Sequence, residues 1–200
     1  MKADIVRTAN QSDEPFIVST LVMAFSSDPA ARWSFPDPHQ YLTHFPSFVR
    51  AFGGKAFAHG SAHIVDGCAA VALWLPPDIH PDQEELGRLI QRSAPEEIRD
   101  DLLAVIEQMS SYHPSEPHWF LPLIGVDGPA QGRGYGSALL DHALAVCDRD
   151  QIPAYLESSN PKNVPLYQRH GFELLGTIQV GTSPQIFPML RKPSLKPAAN

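Results

Sequence analysis

Three glycines at alternate positions, in the segment Gln-Gly-Arg-Gly-Tyr-Gly at 131–136, are the residues with the clearest capacity for chemistry. Glycine allows the backbone to approach a ligand closely, because it has no Cβ. The apolar spacing that follows predicts a helix over 137–149, whose unpaired N–H groups and positive dipole end would face the turn. Arg133 adds a cation there, and Ser137 is the expected helix cap. The turn therefore suits a phosphate or pyrophosphate, and a strand-to-helix turn without a ligand is the alternative.

Two classes of phosphate-binding loop can be compared with this turn. The P-loop is excluded, because no Gly-Lys-Ser/Thr sequence ends the turn. The dinucleotide fingerprint is closer, since Glu157 ends the next predicted strand, where a ribose-binding acid would stand. Against it, the third glycine comes one residue early, and the remaining chain is too short for a doubly wound sheet. A nucleotide-binding oxidoreductase is kept as an alternative.

Hydrophobic periodicity gives the elements that must position the turn, and the second half of the chain reads as β-α-β-α-β-β. Asp66-Gly67 predicts the turn of a hairpin, and the prolines within 26–39 predict a loop. Residues 93–96, Ser-Ala-Pro-Glu, are typical of a capping box that opens a helix. The predicted strands are 4–8, 62–65, 69–75, 118–126, 154–157 and two short final ones, and the predicted helices are 11–25, 40–52, 137–149, 164–170 and one that begins near Pro95.

Length and composition restrict the class of protein. With 200 residues, 43% of them apolar, we expect one domain over 1–193 and a disordered tail at 194–200. A net charge of -7 argues against binding to nucleic acid or an anionic membrane. The chain has no apolar stretch of membrane-spanning length and no signal-peptide pattern, which predicts a cytoplasmic protein and leaves a homodimer open. Cys68 and Cys147 are read as ordinary thiols, and the nine histidines match no zinc pattern, so no metal is predicted.

Two segments resemble the signatures of one superfamily. Residues 126–136 are similar to the acetyl-CoA-binding motif Q/R-x-x-G-x-G/A of the GNAT superfamily of N-acetyltransferases, with Gln131, Gly134 and Gly136 at its fixed positions. Residues 154–172 resemble the second signature, which contains an asparagine, a tyrosine and a Gly-Phe pair. Segments 116–121 and 20–32 further resemble puromycin N-acetyltransferases and their relatives.

The resemblance implies a fold, an activity and a cofactor. The fold is a single-domain α/β (α+β) architecture, with a mixed central sheet of about six to seven strands flanked by helices and splayed at the cofactor-binding strand. The activity is transfer of an acetyl group from acetyl-CoA to a primary amine of a small molecule, by direct attack. A catalytically silent acyl-CoA-binding sensor is the alternative within this resemblance.

By the same resemblance, the strand before the turn carries a bulge. The backbone N–H groups of Ile124 and Val126 would bind the thioester carbonyl and the pantetheine, and Pro122 independently supports irregular pairing because it donates no ladder hydrogen bond. Asn163 would bind the pantetheine, and Tyr167 would stand near the sulfur. The full predicted cofactor set is Ile124, Gly125, Val126, Gln131, Gly132, Arg133, Gly134, Tyr135, Gly136, Ser137, Asn160, Asn163 and Tyr167.

Acetyl transfer needs a hydrogen-bond donor to the developing oxyanion, a general acid and a general base. The N–H of Ile124 is the predicted donor, and Tyr167 is the predicted acid, with an ordinary pKa near 10 against about 8.5 for a thiol. Many superfamily members carry the basic glutamate where this chain has Phe120. Glu116 and Glu157 are therefore the candidate bases, and the two further candidates are His113 and His118.

Five aromatic side chains near loop and strand ends are predicted to form the acceptor pocket. Packing in the core is the alternative for some of them. They are Trp33, Phe35, Trp74, Trp119 and Phe120.

Overall fold

A seven-stranded mixed sheet forms the centre of the computed structural model, which describes residues 6–194. In chain order the strands are β1 (Val6–Thr8), β2 (Ala62–Val65), β3 (Ala70–Leu75), β4 (Trp119–Val126), β5 (Ala154–Ser158), β6 (Glu173–Leu174) and β7 (Phe187–Arg191). They lie side by side in the order β1-β2-β3-β4-β5-β7-β6. Only β4 and β5 are parallel neighbours, so the doubly wound parallel sheet of the dinucleotide-binding alternative is wrong. The predicted mixed sheet is confirmed.

Seven α-helices flank this sheet within the described residues. They are α1 (Glu14–Ala24), α2 (Pro29–Ser34), α3 (Pro38–Gly53), α4 (Gln83–Ser93), α5 (Arg99–Tyr112), α6 (Tyr135–Asp150) and α7 (Val164–Arg169). None of these helices is long and apolar enough to cross a lipid bilayer.

The two faces of the sheet carry separate cores. On one face, α1 and α3 pack against the sheet through buried side chains such as Leu21, Phe45 and Leu123. On the other face, α6 packs through a stripe of buried residues that includes Leu140 and Leu144. A smaller third cluster joins α5 to the chain between β6 and β7. The sheet is thus buried on both sides, and functional groups reach solvent only where strands end or separate.

Strand β4 contains the irregularity on which the site depends. Its pairing with β3 is regular up to Leu73 opposite Leu123, and then shifts so that Leu75 lies opposite Phe120. Trp74 therefore faces two residues of β4, which defines a β-bulge at Leu121 and Pro122. Proline there leaves no unpaired ladder donor, so the predicted irregular pairing is confirmed.

Aspartate followed by proline begins two of the helices. Asp28 and Asp37 accept hydrogen bonds from backbone N–H groups of α2 and α3, and the proline at the next position has no N–H to satisfy. Helix α2 lies inside 26–39, so the prediction of a loop without regular structure there is wrong. The hairpin over 62–75 and the predicted helix around 40–52 are confirmed.

The predicted capping box at 93–96 does not form. Ser93 ends helix α4, and its hydroxyl donates to the carbonyl of Leu89 instead of accepting from the next helix. Helix α4 was not predicted; Leu89 is its one buried residue, and Leu86 and Ile90 beside it are half-buried. Residues 4 and 5 of the first predicted strand, and 195–200 of the predicted tail, lie outside the described residues.

Candidate active site

The parallel strands β4 and β5 pair over three residues each and then separate. Their pairing runs from Trp119 with Ala154 to Leu121 with Leu156, and ends at the bulge. Beyond that point a cleft opens between the strands, so the sheet is splayed here as predicted. The cleft is lined by Phe25, Leu121, Pro122, Ile124, Leu156, Glu157, Ser158, Ser159, Asn163 and Tyr167.

Backbone donors of β4 point into this cleft. The N–H of Asp127 donates to the carbonyl of Ala69 at 2.9 Å, which directs this side of β4 toward β3. N–H groups alternate in direction along an antiparallel strand, so those of Ile124 and Val126 point the other way, toward β5. Because β5 has already diverged, neither N–H meets a neighbouring strand. Both can donate to a ligand in the cleft.

The glycine turn adopts the backbone conformation that only glycine accepts without strain. Gly132 and Gly134 have φ angles of 75° and 84°, and Gly134 is the residue at which α6 begins. The first hydrogen bond of the helix runs from the N–H of Ala138 to the carbonyl of Gly134 at 3.0 Å. The N–H groups before Ala138 precede the helical ladder and form the positive end of the helix. Ser137 is not the cap, because the cap position is taken by Gly134.

Several predicted cofactor side chains have partners within the protein. The Tyr135 hydroxyl donates to Asp66 at 3.1 Å, and the Gln131 amide donates to the carbonyl of Val126 at 3.2 Å. Asn160 accepts from the N–H of Lys162 at 3.1 Å as a helix cap. The side chains of these three residues therefore shape the loops around the cleft. Gly132 and Arg133 are exposed.

Packing explains one of the predicted glycines and not another. A Cβ on Gly125 would lie 2.8 Å from the Cβ of Ala24, so this glycine lets α1 approach β4. A Cβ on Gly136 would lie 3.5 Å from Leu166, an ordinary van der Waals contact, so packing does not require glycine at this position. The side chain of Asn163, in contrast, caps no helix and lines the cleft, where it can bind an amide.

Tyr167 projects from α7 to the cleft and is 5% exposed. Burial raises the pKa of its hydroxyl above the ordinary tyrosine value, and the nearby carboxylate of Asp28 raises it further. The hydroxyl is therefore protonated at neutral pH. It can donate a proton and cannot act as a base there.

The two candidate bases differ in position. Glu116 is exposed ahead of β4, and its contact with the neighbouring histidine uses its backbone carbonyl. The Glu157 side chain is 3% exposed and lines the cleft, where its Oε1 accepts from the Tyr155 hydroxyl at 2.9 Å. Nε2 of His113 lies 3.3 Å from the same oxygen. Glu157 is therefore the carboxylate that the fold brings to the cleft.

The five aromatic residues of the predicted acceptor pocket do not come together. Phe35 and Phe120 are buried in the core beneath α1 and α3, and Trp74 is buried on the opposite face of the sheet. Trp119 also packs on the α6 side. Trp33 is also partly open, and its indole N–H donates to the Thr182 hydroxyl at 3.1 Å. Core packing, the alternative reading, accounts for the other four.

Sequence reasoning missed Asp28 and Ser159. Asp28 is 7% exposed and accepts from the backbone N–H groups that open α2, and from the Ser159 hydroxyl at 2.7 Å. Burial raises the pKa of this carboxyl. The hydrogen bond between Ser159 and Asp28 thus holds the start of α2 against the wall of the cleft. The signal for Asp28 was its Asp-Pro sequence, which predicts a helix cap.

The chain is similar to known acetyltransferases over most of its length. An uncharacterized N-acetyltransferase of Schizosaccharomyces pombe is 26% identical over 206 residues, which cover 90% of this chain and 80% of the relative. The Corynebacterium glutamicum structure described as histone acetyltransferase HPA2 and related acetyltransferase is 28% identical, with a TM-score of 0.70 over 98% of both chains. A polyamine N-acetyltransferase of Drosophila melanogaster shares the fold, with a TM-score of 0.60 at 16% identity over 94% of this chain and 99% of that one.

The closer resemblance to puromycin N-acetyltransferases stays a prediction. The family model matches the part of the chain that holds the cleft. Residues 20–172 match the model of the acetyltransferase (GNAT) family. The chain belongs to this family of acetyltransferases.

Proposed function

We propose that this protein transfers an acetyl group from acetyl-CoA to a primary amine of a small molecule, by direct attack. The observation that carries the proposal is the cleft between β4 and β5, since it joins backbone donors, a buried carboxylate and a buried tyrosine. Ile124, Glu157 and Tyr167 all line it. A cytoplasmic location is part of the same proposal.

The residues present fit acetyl-CoA. The free N–H groups at the start of α6 suit its pyrophosphate, and the side chain of Asn163 suits an amide of its pantetheine. Acetyl-CoA would supply the acetyl group as a thioester. The N–H of Ile124 would donate to the carbonyl oxygen, where negative charge develops as the amine attacks.

Glu157 and Tyr167 divide the proton transfers. An ammonium has no lone pair, so Glu157 takes a proton from it and leaves a neutral amine to attack. Tyr167, protonated because it is buried, donates to the departing sulfur. Cys68 and Cys147 are buried and line no part of the cleft, and burial raises the pKa of the Cys147 thiol to about 12. This supports direct transfer over a thiol-bound acyl enzyme.

The test is thiol release from acetyl-CoA with a panel of amines, which includes aminonucleosides, aminoglycosides, amino acids, polyamines and arylalkylamines. We expect turnover with at least one amine, and a loss of about 10²- to 10⁴-fold in kcat for Glu157→Gln. Glu116→Gln is the matched control and should keep the wild-type rate, because its side chain is exposed outside the cleft.

Two other results would contradict the proposal. If CoA raises the melting temperature but no amine is acetylated, the protein is a silent acyl-CoA sensor. Equal loss of activity in Glu116→Gln and Glu157→Gln would remove Glu157 as the base.

A further inference from the structure

A chain of polar contacts leads from the cleft to the protein surface, behind Glu157. Nε2 of His113, the residue after α5, lies 3.3 Å from Glu157 Oε1. Its Nδ1 lies 3.3 Å from Nε2 of His118, and Nδ1 of His118 lies 2.8 Å from the backbone carbonyl of Glu116. The catalytic proposal does not use these contacts, and the His113 ring also packs against Phe120 and Tyr155, with centroids 4.8 and 4.4 Å away.

The carbonyl at the outer end fixes the hydrogen positions in both imidazole rings. A carbonyl oxygen can only accept, so Nδ1 of His118 must carry a hydrogen. In a neutral ring its Nε2 then has a free lone pair and can only accept, which requires a hydrogen on Nδ1 of His113. Burial lowers the pKa of His118, which keeps this ring neutral. The remaining Nε2 of neutral His113 carries no hydrogen and faces Glu157.

Oε1 of Glu157 and Nε2 of His113 can therefore bind one proton between them. Two acceptors face each other across 3.3 Å, and the Tyr155 hydroxyl already donates to the same carboxylate oxygen. No described residue donates to the second oxygen, Oε2, which leaves it available to an amine. The side chain of His113 is 29% exposed, against 3% for Glu157. A proton taken up by the buried carboxylate has its route to water through His113.

We propose that His113 is the proton outlet of Glu157 and that His118 is the positioning residue that holds His113 in its Nδ1–H form. This inference rests on the proposed acetyltransferase function. Many superfamily members carry a glutamate as the base at the position of Phe120. In this chain, the carboxylate of Glu157 and the imidazole of His113 would together take that role.

The proton balance is as follows. Acetylation of an ammonium removes two protons from nitrogen, and one of them ends on the thiol. The other breaks its bond to nitrogen and binds Glu157, and then passes to Nε2 of His113. This restores the carboxylate beside an imidazolium, which releases the proton to water. The net product is one proton per turnover.

The first experiment compares pH profiles of kcat/KM for wild type and His113→Ala. We expect a loss of about tenfold or more near neutral pH. We also expect the acid limb of the profile to change, because the imidazole no longer takes part in the ionisation of the base. The other titratable groups that face this cluster are Tyr112, Tyr155 and His80, and all are retained in the variant. Free imidazole in the buffer should restore part of the rate.

The second experiment tests His118. Glutamine offers an amide oxygen to His113 and an N–H to the carbonyl of Glu116, so His118→Gln should keep most of the activity, while His118→Leu should lose it. ¹⁵N NMR of the histidine side chains gives a readout independent of turnover. We expect the Nδ1–H form of His113 in wild type and His118→Gln, and a mixture of forms in His118→Leu. The exposed His59→Gln is the matched control.

The outcomes separate the two proposals. Active wild type with an unchanged pH profile and no imidazole rescue in His113→Ala would overturn this inference alone. An Nε2–H form of His113 in the wild-type protein would overturn it as well. Wild type that acetylates no amine would overturn the proposed function.

Discussion

At the scale of single residues, burial sets the direction in which two tyrosines near the cleft can transfer a proton. Tyr167 and Tyr155 both have hydroxyl pKa values raised mainly by burial, so both groups are donors at neutral pH. Tyr155 donates to Glu157 at 2.9 Å, whereas Tyr167 faces the cleft with no protein acceptor among the described residues. Under the proposed function, Tyr155 thus supports the base, and the Tyr167 hydroxyl can donate to the leaving group.

Tyr167→Phe should reduce kcat by about 10²-fold, because the departing thiolate loses its proton donor. CoA affinity should change little, since the ring and its packing against Phe172 remain. Steady-state rates and titration of CoA binding measure the two effects separately. An unimpaired rate in Tyr167→Phe would remove this residue from the mechanism.

At the scale of elements, the site depends on the contact between α1 and β4. Gly125 lies between the two backbone donors of β4, and α1 crosses directly above it. A Cβ there would come within 2.8 Å of Ala24 and 3.0 Å of Leu21. The helix therefore holds the splayed part of β4 in place where β5 no longer supports it.

Gly125→Ala should lower the free energy of unfolding by about 1–3 kcal/mol through overpacking, and should weaken CoA binding as β4 shifts. Removal of the opposing methyl group with Ala24→Gly should relieve part of this, so the double variant should be more stable than the two single changes predict by about 0.5 kcal/mol or more. Denaturant unfolding of the four proteins measures the coupling. Gly128→Ala, where a Cβ meets nothing within 4 Å, is the control. Strict additivity would show that α1 does not constrain this part of β4.

The elements also show what the sequence can predict and what it cannot. The bulge could be inferred from Pro122, because the loss of a donor is a local property. The sequence alone could not exclude the aromatic pocket, because the bulge changes the face of the sheet on which each later β4 residue lies. It brings Phe120 and Leu123 to one face, although they are three residues apart. Glu157 could be listed but not chosen over Glu116, since only the tertiary fold decides which carboxylate lines the cleft.

At the scale of the whole molecule, the fold buries a histidine that has no role in the cleft. His63 of β2 lies under α6, and its Nδ1 is buried without a hydrogen-bond partner among the described residues. Its ring meets that of His142 edge to face, with centroids 4.6 Å apart. Burial, and to a smaller degree the charge of His142, lowers the pKa of His63 to about 4. The packing of α6 on the sheet thus requires a neutral imidazole.

This requirement makes the stability of the fold depend on pH. The pKa of His63 is lower in the folded state than the ordinary 6.5, so the unfolded chain binds more protons between pH 6.5 and 4. The stabilisation is fully present above pH 6.5 and is lost as the pH falls toward 4, by on the order of 3 kcal/mol in all. His63→Phe keeps an aromatic ring in place and removes the titration. Denaturant unfolding at pH 7 and pH 4.5 should show a smaller loss of stability in His63→Phe than in wild type. His142→Gln should retain most of the wild-type loss of stability, because burial is the larger cause of the lowered His63 pKa. Equal losses of stability in wild type and His63→Phe would show that other groups govern the acid sensitivity.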